Sequence, residues 1–452
     1  MWTTKSQFNP LRLSVLAFAL FILVGAVLLT LPMSYTEKPI RFVDALFTIT
    51  SAACVTGLVV LDTGKDFSFL GQVIILTWIQ VGGLGIMTMS TVFLMLAGRR
   101  PGLGSRMVVQ DAFTHSGERN LGAVVVDVLL FTFIIESGGA VLLFFRFVHG
   151  RGVLEAMYLS VFHSVSAFCN AGFSIFSNNL EDFVGDWLVS LTICFLIILG
   201  GIGFLVLREL KLLFRARHRG RMRLSLHTKL VLFTTACLLV AGTVLVLLME
   251  WNNTLAPLAV ADRFLAAFFQ SVTPRTAGFN TLPYGAMANQ TLFVTILLMF
   301  IGASSGSTGG GIKTGTFATL VALGWSRFRG HERPHVFRRT ISEGSVARAM
   351  SVTMICTILV ITATLILQVT EIGGASHLTT RGKFLELLFE VTSAFGTVGL
   401  STGITPGLTD VGKLLITLVM YLGRLGPLVV AVAASRQRTY HYQYAQEGIM
   451  IG

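Results

Sequence analysis

Four short stretches share one pattern: Cys54-Val55-Thr56-Gly57-Leu58, Cys169-Asn170-Ala171-Gly172-Phe173, Arg275-Thr276-Ala277-Gly278-Phe279 and Gly396-Thr397-Val398-Gly399-Leu400. The chemistry they offer is that of the backbone. Glycine reaches left-handed angles that other residues reach only at a cost. Carbonyl oxygens of loops set around an axis can replace the water shell of a cation. None of the four loops carries an acidic side chain, which fits a carbonyl filter better than a carboxylate ring. The candidate filter residues are Val55, Thr56 and Gly57; Asn170, Ala171 and Gly172; Thr276, Ala277 and Gly278; and Thr397, Val398 and Gly399.

A second stretch runs Gly302-Ala303-Ser304-Ser305-Gly306-Ser307-Thr308-Gly309-Gly310-Gly311-Ile312-Lys313-Thr314-Gly315 inside an apolar segment. Irregular backbone at membrane depth is tolerated only when buried in protein or facing a water-filled cavity. The stretch is therefore a candidate gate. A phosphate-binding loop is excluded, because Ile312 separates Gly311 from Lys313 and no strand precedes it. Arg424, in Tyr421-Leu422-Gly423-Arg424, is a costly embedded charge expected to lie below the filter and raise the barrier to cations. A structural pairing with a carboxylate or with backbone carbonyls is the alternative role. Glu136 is either its partner or a packing residue, and Lys313 is placed with Arg424 in the constriction. His163 reads as a packing or hydrogen-bonding residue. The five cysteines lack metal-ligand spacing and read as packing residues. No nucleophile–base pattern is present, so an enzyme is not expected.

The elements that position these loops repeat as well. The four glycines lie 115, 106 and 121 residues apart, and Phe47, Phe162, Phe268 and Phe389 each stand ten residues before one. A fixed period marks a repeat architecture. Of the 452 residues 53% are hydrophobic and 12% charged, against about 25% charged in soluble domains. Mean hydropathy is +0.76. The fold expected is an all-α polytopic membrane protein with four pseudo-symmetric helix–re-entrant loop–helix repeats around a central pore. The repeats are assigned to 1–98, 99–220, 221–330 and 331–452. Their short segments, Phe42–Ala53, Leu154–Phe168, Asp262–Val272 and Phe384–Ala394, fall below the roughly 20 residues of a span. The return helices are expected over Phe69–Leu96, Trp187–Leu207, a segment broken after Ile301, and Val411–Ala434, giving eight spans in all. The net charge of +12 is no nucleic-acid signal. The basic residues gather in three connections, which places both termini in the cytoplasm.

The four loops, the Ser304–Gly315 stretch and Arg424 together resemble the Trk/Ktr/HKT superfamily of potassium transporters, in its Ktr branch. The resemblance covers essentially the whole chain. It implies inward K+ movement across the bacterial inner membrane, with the filter, the Gly302–Gly315 gate loop and the pore arginine Arg424 in those roles. It implies a homodimer on a separate cytoplasmic octameric ring of nucleotide-binding subunits, where ATP activates and ADP inactivates. Na+ is implied as an activator, and no cofactor is expected on this chain itself. The alternative is a sodium or mixed monovalent-cation transporter of the same fold.

Overall fold

The structure is a computed structural model that describes residues 10–85, 121–216 and 224–426. The first repeat comprises α1 (Pro10–Leu29), α2 (Phe42–Ala53) and α3 (Phe69–Gly83); the second α4 (Leu121–Phe147), α5 (Val153–Phe168), α6 (Trp187–Ile202) and α7 (Phe204–Ala216). The third has α8 (Leu226–Glu250), α9 (Val260–Val272), α10 (Asn289–Phe300) and α11 (Thr314–Phe328). A two-stranded hairpin, β1 (His335–Val336) and β2 (Arg339–Thr340), leads to the fourth: α12 (Glu343–Glu371), α13 (Lys383–Gly396) and α14 (Asp410–Leu425).

The chain is a mostly helical polytopic membrane protein. Among the described residues three helices are long and apolar enough to cross a membrane: Val125–Phe147, Leu226–Glu250 and Glu343–Glu371. Their outward side chains are large and apolar, with Phe133 72% and Leu248 74% exposed. Such faces suit lipid. The expected helices to Leu96 and Ala434 run beyond the described residues.

The short helices α2, α5, α9 and α13 each bury one face on their own repeat and carry one acidic residue in the first turn: Asp44, Glu155, Asp262 and Glu386. A carboxylate there favours the positive end of the helix dipole. The opposite ends, with their partial negative charge, meet the glycine loops. Each return helix packs on the short helix of the next repeat: α3 on α5, α6 on α9, α10 on α13, and α14 on α2. The last contact closes the ring without a covalent link. There Lys413 Nζ meets Asp44 Oδ1 at 2.7 Å, and Arg41 Nη2 meets Asp410 Oδ1 at 2.9 Å.

Two expectations are corrected. The helix expected from Trp187 to Leu207 is not continuous; it breaks at Gly203 (φ +97°) and bends by 96°. The ten-residue register of phenylalanines holds for Phe47, Phe162 and Phe389, which are fully buried. In the third repeat the fully buried ring is Phe269, while Phe268 is half-buried. The loop that follows is one residue shorter. Ala277 N–H donates to the Thr273 carbonyl four residues back, whereas Thr56, Ala171 and Val398 N–H groups reach five residues back to Ser51, Ser166 and Ser393.

Candidate functional site

The four loops repeat one backbone conformation. Val55, Asn170, Thr276 and Thr397 have φ of 56°, 60°, 74° and 50°, and two residues on Gly57, Gly172, Gly278 and Gly399 have φ of 98°, 68°, 78° and 92°. Left-handed residues thus alternate with Thr56, Ala171, Ala277 and Val398. Alternating hand turns successive carbonyls toward one side of a strand, which neither a regular helix nor a regular strand can do. The cost of a left-handed side-chain-bearing residue is about 1–2 kcal/mol, so four such residues need firm support.

Hydroxyls supply part of it. Ser51 Oγ accepts from Gly57 N–H and Ser393 Oγ from Gly399 N–H, both at 3.0 Å. Ser166 Oγ donates to the Phe173 carbonyl at 2.7 Å and Thr273 Oγ1 to the Phe279 carbonyl at 2.5 Å. Across repeats, the Asn170 amide meets Thr276 Oγ1 at 3.2 Å.

The four glycines form a closed ring. A methyl group on Gly57 would lie 2.5 Å from the Ala171 carbonyl oxygen; on Gly172, 2.7 Å from that of Ala277; on Gly278, 2.5 Å from that of Val398; and on Gly399, 2.0 Å from that of Thr56. Each glycine therefore abuts the carbonyl preceding the next glycine, and the fourth returns to the first. No side chain fits anywhere in this ring. All twelve candidate filter residues are buried and brought together.

The Gly302–Lys313 segment crosses against this ring. Ile301 and Ile312 form an isolated parallel bridge that closes its base. Gly302 packs on the Gly310 carbonyl, and Gly311 on Gly396. Ser304 N–H donates to the Gly201 carbonyl (3.0 Å), Thr308 N–H to that of Gly200 (3.3 Å), and Phe204 N–H to that of Gly306 (2.9 Å). Ser305 packs its carbonyl on Gly203, and Ser307 Oγ donates to the Ser304 carbonyl at 2.6 Å. These bonds explain the unexpected break at Gly203: the groups freed from α6 and α7 are satisfied by the crossing segment. Gly309 and Gly310 have no room for a side chain, because the hydroxyls of Thr276 and Thr397 stand 2.0 and 2.3 Å from where one would begin. The segment thus touches the glycine loops of the third and fourth repeats directly.

Two cations hold its carbonyls. Arg424 donates to the carbonyls of Thr308 and of Gly82. Lys313 Nζ donates to the Gly309 carbonyl at 2.8 Å. The partner of Arg424 is therefore backbone, not Glu136. Glu136 instead accepts from Gln80 Nε2 at 3.2 Å and lies 3.7 Å from Cys169 Sγ. His163 is a packing and hydrogen-bonding residue: Nδ1 faces the Leu159 carbonyl at 2.7 Å, and the ring stacks on Phe176.

One charge was passed over in the sequence. Arg275 begins the third loop, yet its side chain is buried, with Nη2 donating to Thr235 Oγ1 on α8 at 3.3 Å. The other loops place Cys54, Cys169 and Gly396 at that point. A basic residue in a membrane-deep motif is the signal that could have found it. The basic connections are less uniform than expected too, since Arg208 and Lys211 pair with Asp127 at 3.2 and 3.0 Å.

Residues 5–441 match the TrkH family model, whose description is cation transport protein. The chain is 40% identical to the Ktr system potassium uptake protein B of Bacillus subtilis, over 99% of this chain and 97% of that protein. It is 38% identical to the potassium/sodium uptake protein NtpJ of Enterococcus hirae, over 99% and 98%. The solved potassium transporter TrkH of Vibrio parahaemolyticus superposes with a TM-score of 0.68 at 18% identity, over 95% of this chain and 86% of that one, so the fold is shared.

Proposed function

The chain belongs to the TrkH family of cation transport proteins, and from that premise we propose that it is the ion-translocating subunit of a potassium uptake system. K+ passes inward through the carbonyl ring of the four loops. The observation that carries this reading is the cyclic contact in which Gly57, Gly172, Gly278 and Gly399 each abut the carbonyl preceding the next glycine. Backbone oxygens substitute for ion hydration, and the short helices direct negative dipole ends to the same place. The Gly302–Gly311 segment, with Lys313 and Arg424, is the gate. Its contact with Thr276 and Thr397 supports that role, as does its anchorage by Arg424.

The Ktr names of the similar proteins favour a membrane subunit governed by a separate cytoplasmic partner. We read that partner as an octameric nucleotide-binding ring, with ATP and ADP bound there, and the membrane subunit as a homodimer with both termini inside. A second reading has one specific support: NtpJ, named for potassium and sodium, is 38% identical against 40% for the Ktr protein. Sodium is then a second cargo, a coupled ion or an activator.

The test is uptake of K+, Rb+ and Na+ into proteoliposomes by the wild type and by Gly278→Ser. Preference of the wild type for K+ and Rb+, eroded in the variant, supports the filter reading. Equal Na+ flux in the wild type overturns the potassium assignment in favour of the mixed transporter. If no cation moves even with the cytoplasmic partner added, the transport reading itself fails.

A further inference from the structure

One polar position recurs behind the loops. It lies on each short helix directly after the fully buried phenylalanine: Thr48 after Phe47, His163 after Phe162, Gln270 after Phe269 and Glu390 after Phe389. Three of the four reach across to the strand that leaves the filter glycine. His163 Nε2 meets Ser174 Oγ at 3.0 Å, and Gln270 Nε2 donates to Thr281 Oγ1 at 3.2 Å. Glu390 Oε1 accepts from Ser401 Oγ, and from Thr405 Oγ1 at 3.1 Å. Ser174 and Ser401 stand two residues after their glycines and repeat a second bond, each accepting from the N–H two residues further on: Phe176 at 3.0 Å and Gly403 at 2.9 Å. The first repeat lacks the crossing bond; Thr48 Oγ1 returns to its own helix at the Asp44 carbonyl.

We propose that Glu390 is a positioning residue for selectivity, a strut that fixes the fourth filter strand through Ser401 and Thr405. The proposal rests on the filter reading above. Glu390 is fully buried, with Ser401, Thr405 and the Thr402 backbone around its carboxyl, and its Oε2 makes no hydrogen bond of good geometry. A buried polar atom without a well-formed hydrogen bond is costly, so packing economy does not account for a carboxyl group here. Leucine would fill the same space. What a carboxyl adds is an oxygen that takes two hydroxyl donors at once, and both donors lie on the segment that follows Gly399. That glycine closes the ring onto Thr56 with the tightest approach of the four. An error in the position of this strand is therefore felt by the first loop as well. Strut chemistry differs between repeats, imidazole, amide and carboxyl, while the bond made is equivalent. The shared function is geometry, not charge.

The experiment compares full-length wild type, Glu390→Gln, Glu390→Leu, Ser401→Ala and the Leu/Ala double variant in proteoliposomes, reading the Rb+/Na+ uptake ratio and the melting temperature of each. Removing the two hydroxyl hydrogen bonds together changes an equilibrium by about tenfold. Glu390→Leu is expected to lower the ratio by about that factor, and Ser401→Ala by less in the same direction. The double variant should match Glu390→Leu, since both act on one strut. Glu390→Gln, which keeps the amide oxygen that Gln270 has in the third repeat, should recover most of the ratio. If Glu390→Leu does not fold, Ser401→Ala carries the test alone. Folded variants that transport slowly with an unchanged ratio would reduce Glu390 to a structural residue and overturn the proposal. A wild type with no cation preference would instead sink the filter reading on which it stands.

Discussion

Alanine at each ring glycine should damage transport in a fixed order. The order follows from two independent quantities. The first is backbone angle: φ is 92° at Gly399 and 98° at Gly57, but 78° at Gly278 and 68° at Gly172, nearest to the left-handed region that other residues visit. The second is the obstacle, a carbonyl oxygen 2.0 Å from the new carbon at Gly399, 2.5 Å at Gly57 and Gly278, and 2.7 Å at Gly172. Left-handed strain costs about 1–2 kcal/mol, and forcing a methyl into packed backbone about 1–3 kcal/mol. Gly399→Ala falls at the high end of both, about 3–5 kcal/mol together, and Gly172→Ala at the low end, about 2 kcal/mol. At about 1.4 kcal/mol per tenfold, the expected loss of Rb+/Na+ preference is over a hundredfold for Gly399→Ala and roughly thirtyfold for Gly172→Ala. The assay is paired Rb+ and Na+ flux in proteoliposomes at matched protein, with melting curves to confirm folding. A nearly normal Gly399→Ala beside a crippled Gly172→Ala would refute the cyclic ring as the seat of selectivity.

Three further outcomes are expected. Arg424→Ala removes a charged hydrogen bond from the crossing segment; losing it, about 1.5 kcal/mol, shifts the proposed gate about tenfold toward open, read as a rise in basal Rb+ uptake. Lys413→Met removes the buried partner of Asp44 at the seam between fourth and first repeats and leaves it only Arg41, 2.9 Å away; the melting temperature should fall by the equivalent of about 1.5 kcal/mol, and adding Asp44→Asn should restore part of it. Burial raises the Glu181 carboxyl above its ordinary value, although Asn280 opposes this. The folded state then holds a proton longer than the unfolded one, so this contribution to stability is full in acid and declines as pH rises through the folded value. Glu181→Gln should flatten the melting profile just above pH 4.5, and an unchanged slope would discard that role.

Much of this arrangement is legible in the sequence because it rests on local rules. The short helices follow from apolar runs too short to span, closed by a glycine; α2 is Phe42–Ala53 as expected, and α9 starts two residues earlier than expected. The crossing segment is legible because its glycines and hydroxyls cannot continue an apolar helix. The break at Gly203 is not, since one glycine between Ile202 and Phe204 reads as helix. Its cause lies about a hundred residues away, in the N–H and carbonyl groups of Ser304, Gly306 and Thr308. Counting back from glycine selects Phe268 over Phe269 because equal loop lengths are assumed. Arg275 escapes notice because the pattern aligns it with Cys54 and Cys169, while its side chain turns away from the pore toward Thr235. Long-range bonds and side-chain direction leave no periodic trace.

The ring is symmetric in its glycines and asymmetric around them, and the asymmetry falls on the side of the proposed gate. The third loop is the shorter one, has Arg275 behind it, and faces Gly309 of the crossing segment. Fixed struts stand behind the second, third and fourth loops, so the strands need not deform when the segment moves. Six hydrogen bonds tie that segment to the rest of the described structure: Ser304 to Gly201, Thr308 N–H to Gly200, Thr308 Oγ1 to Phe168, Phe204 to Gly306, Thr314 to Ala303, and Arg424 to Thr308. At about 1 kcal/mol net apiece their sum is about 6 kcal/mol. Driving a two-state element from almost fully closed to almost fully open takes about 5.5 kcal/mol of differential binding. On the proposed gate reading, the closed segment is held firmly enough to stop leakage and weakly enough for a bound partner to release. A continuous α10–α11 helix, with each backbone bond satisfied internally, could not be opened at that cost.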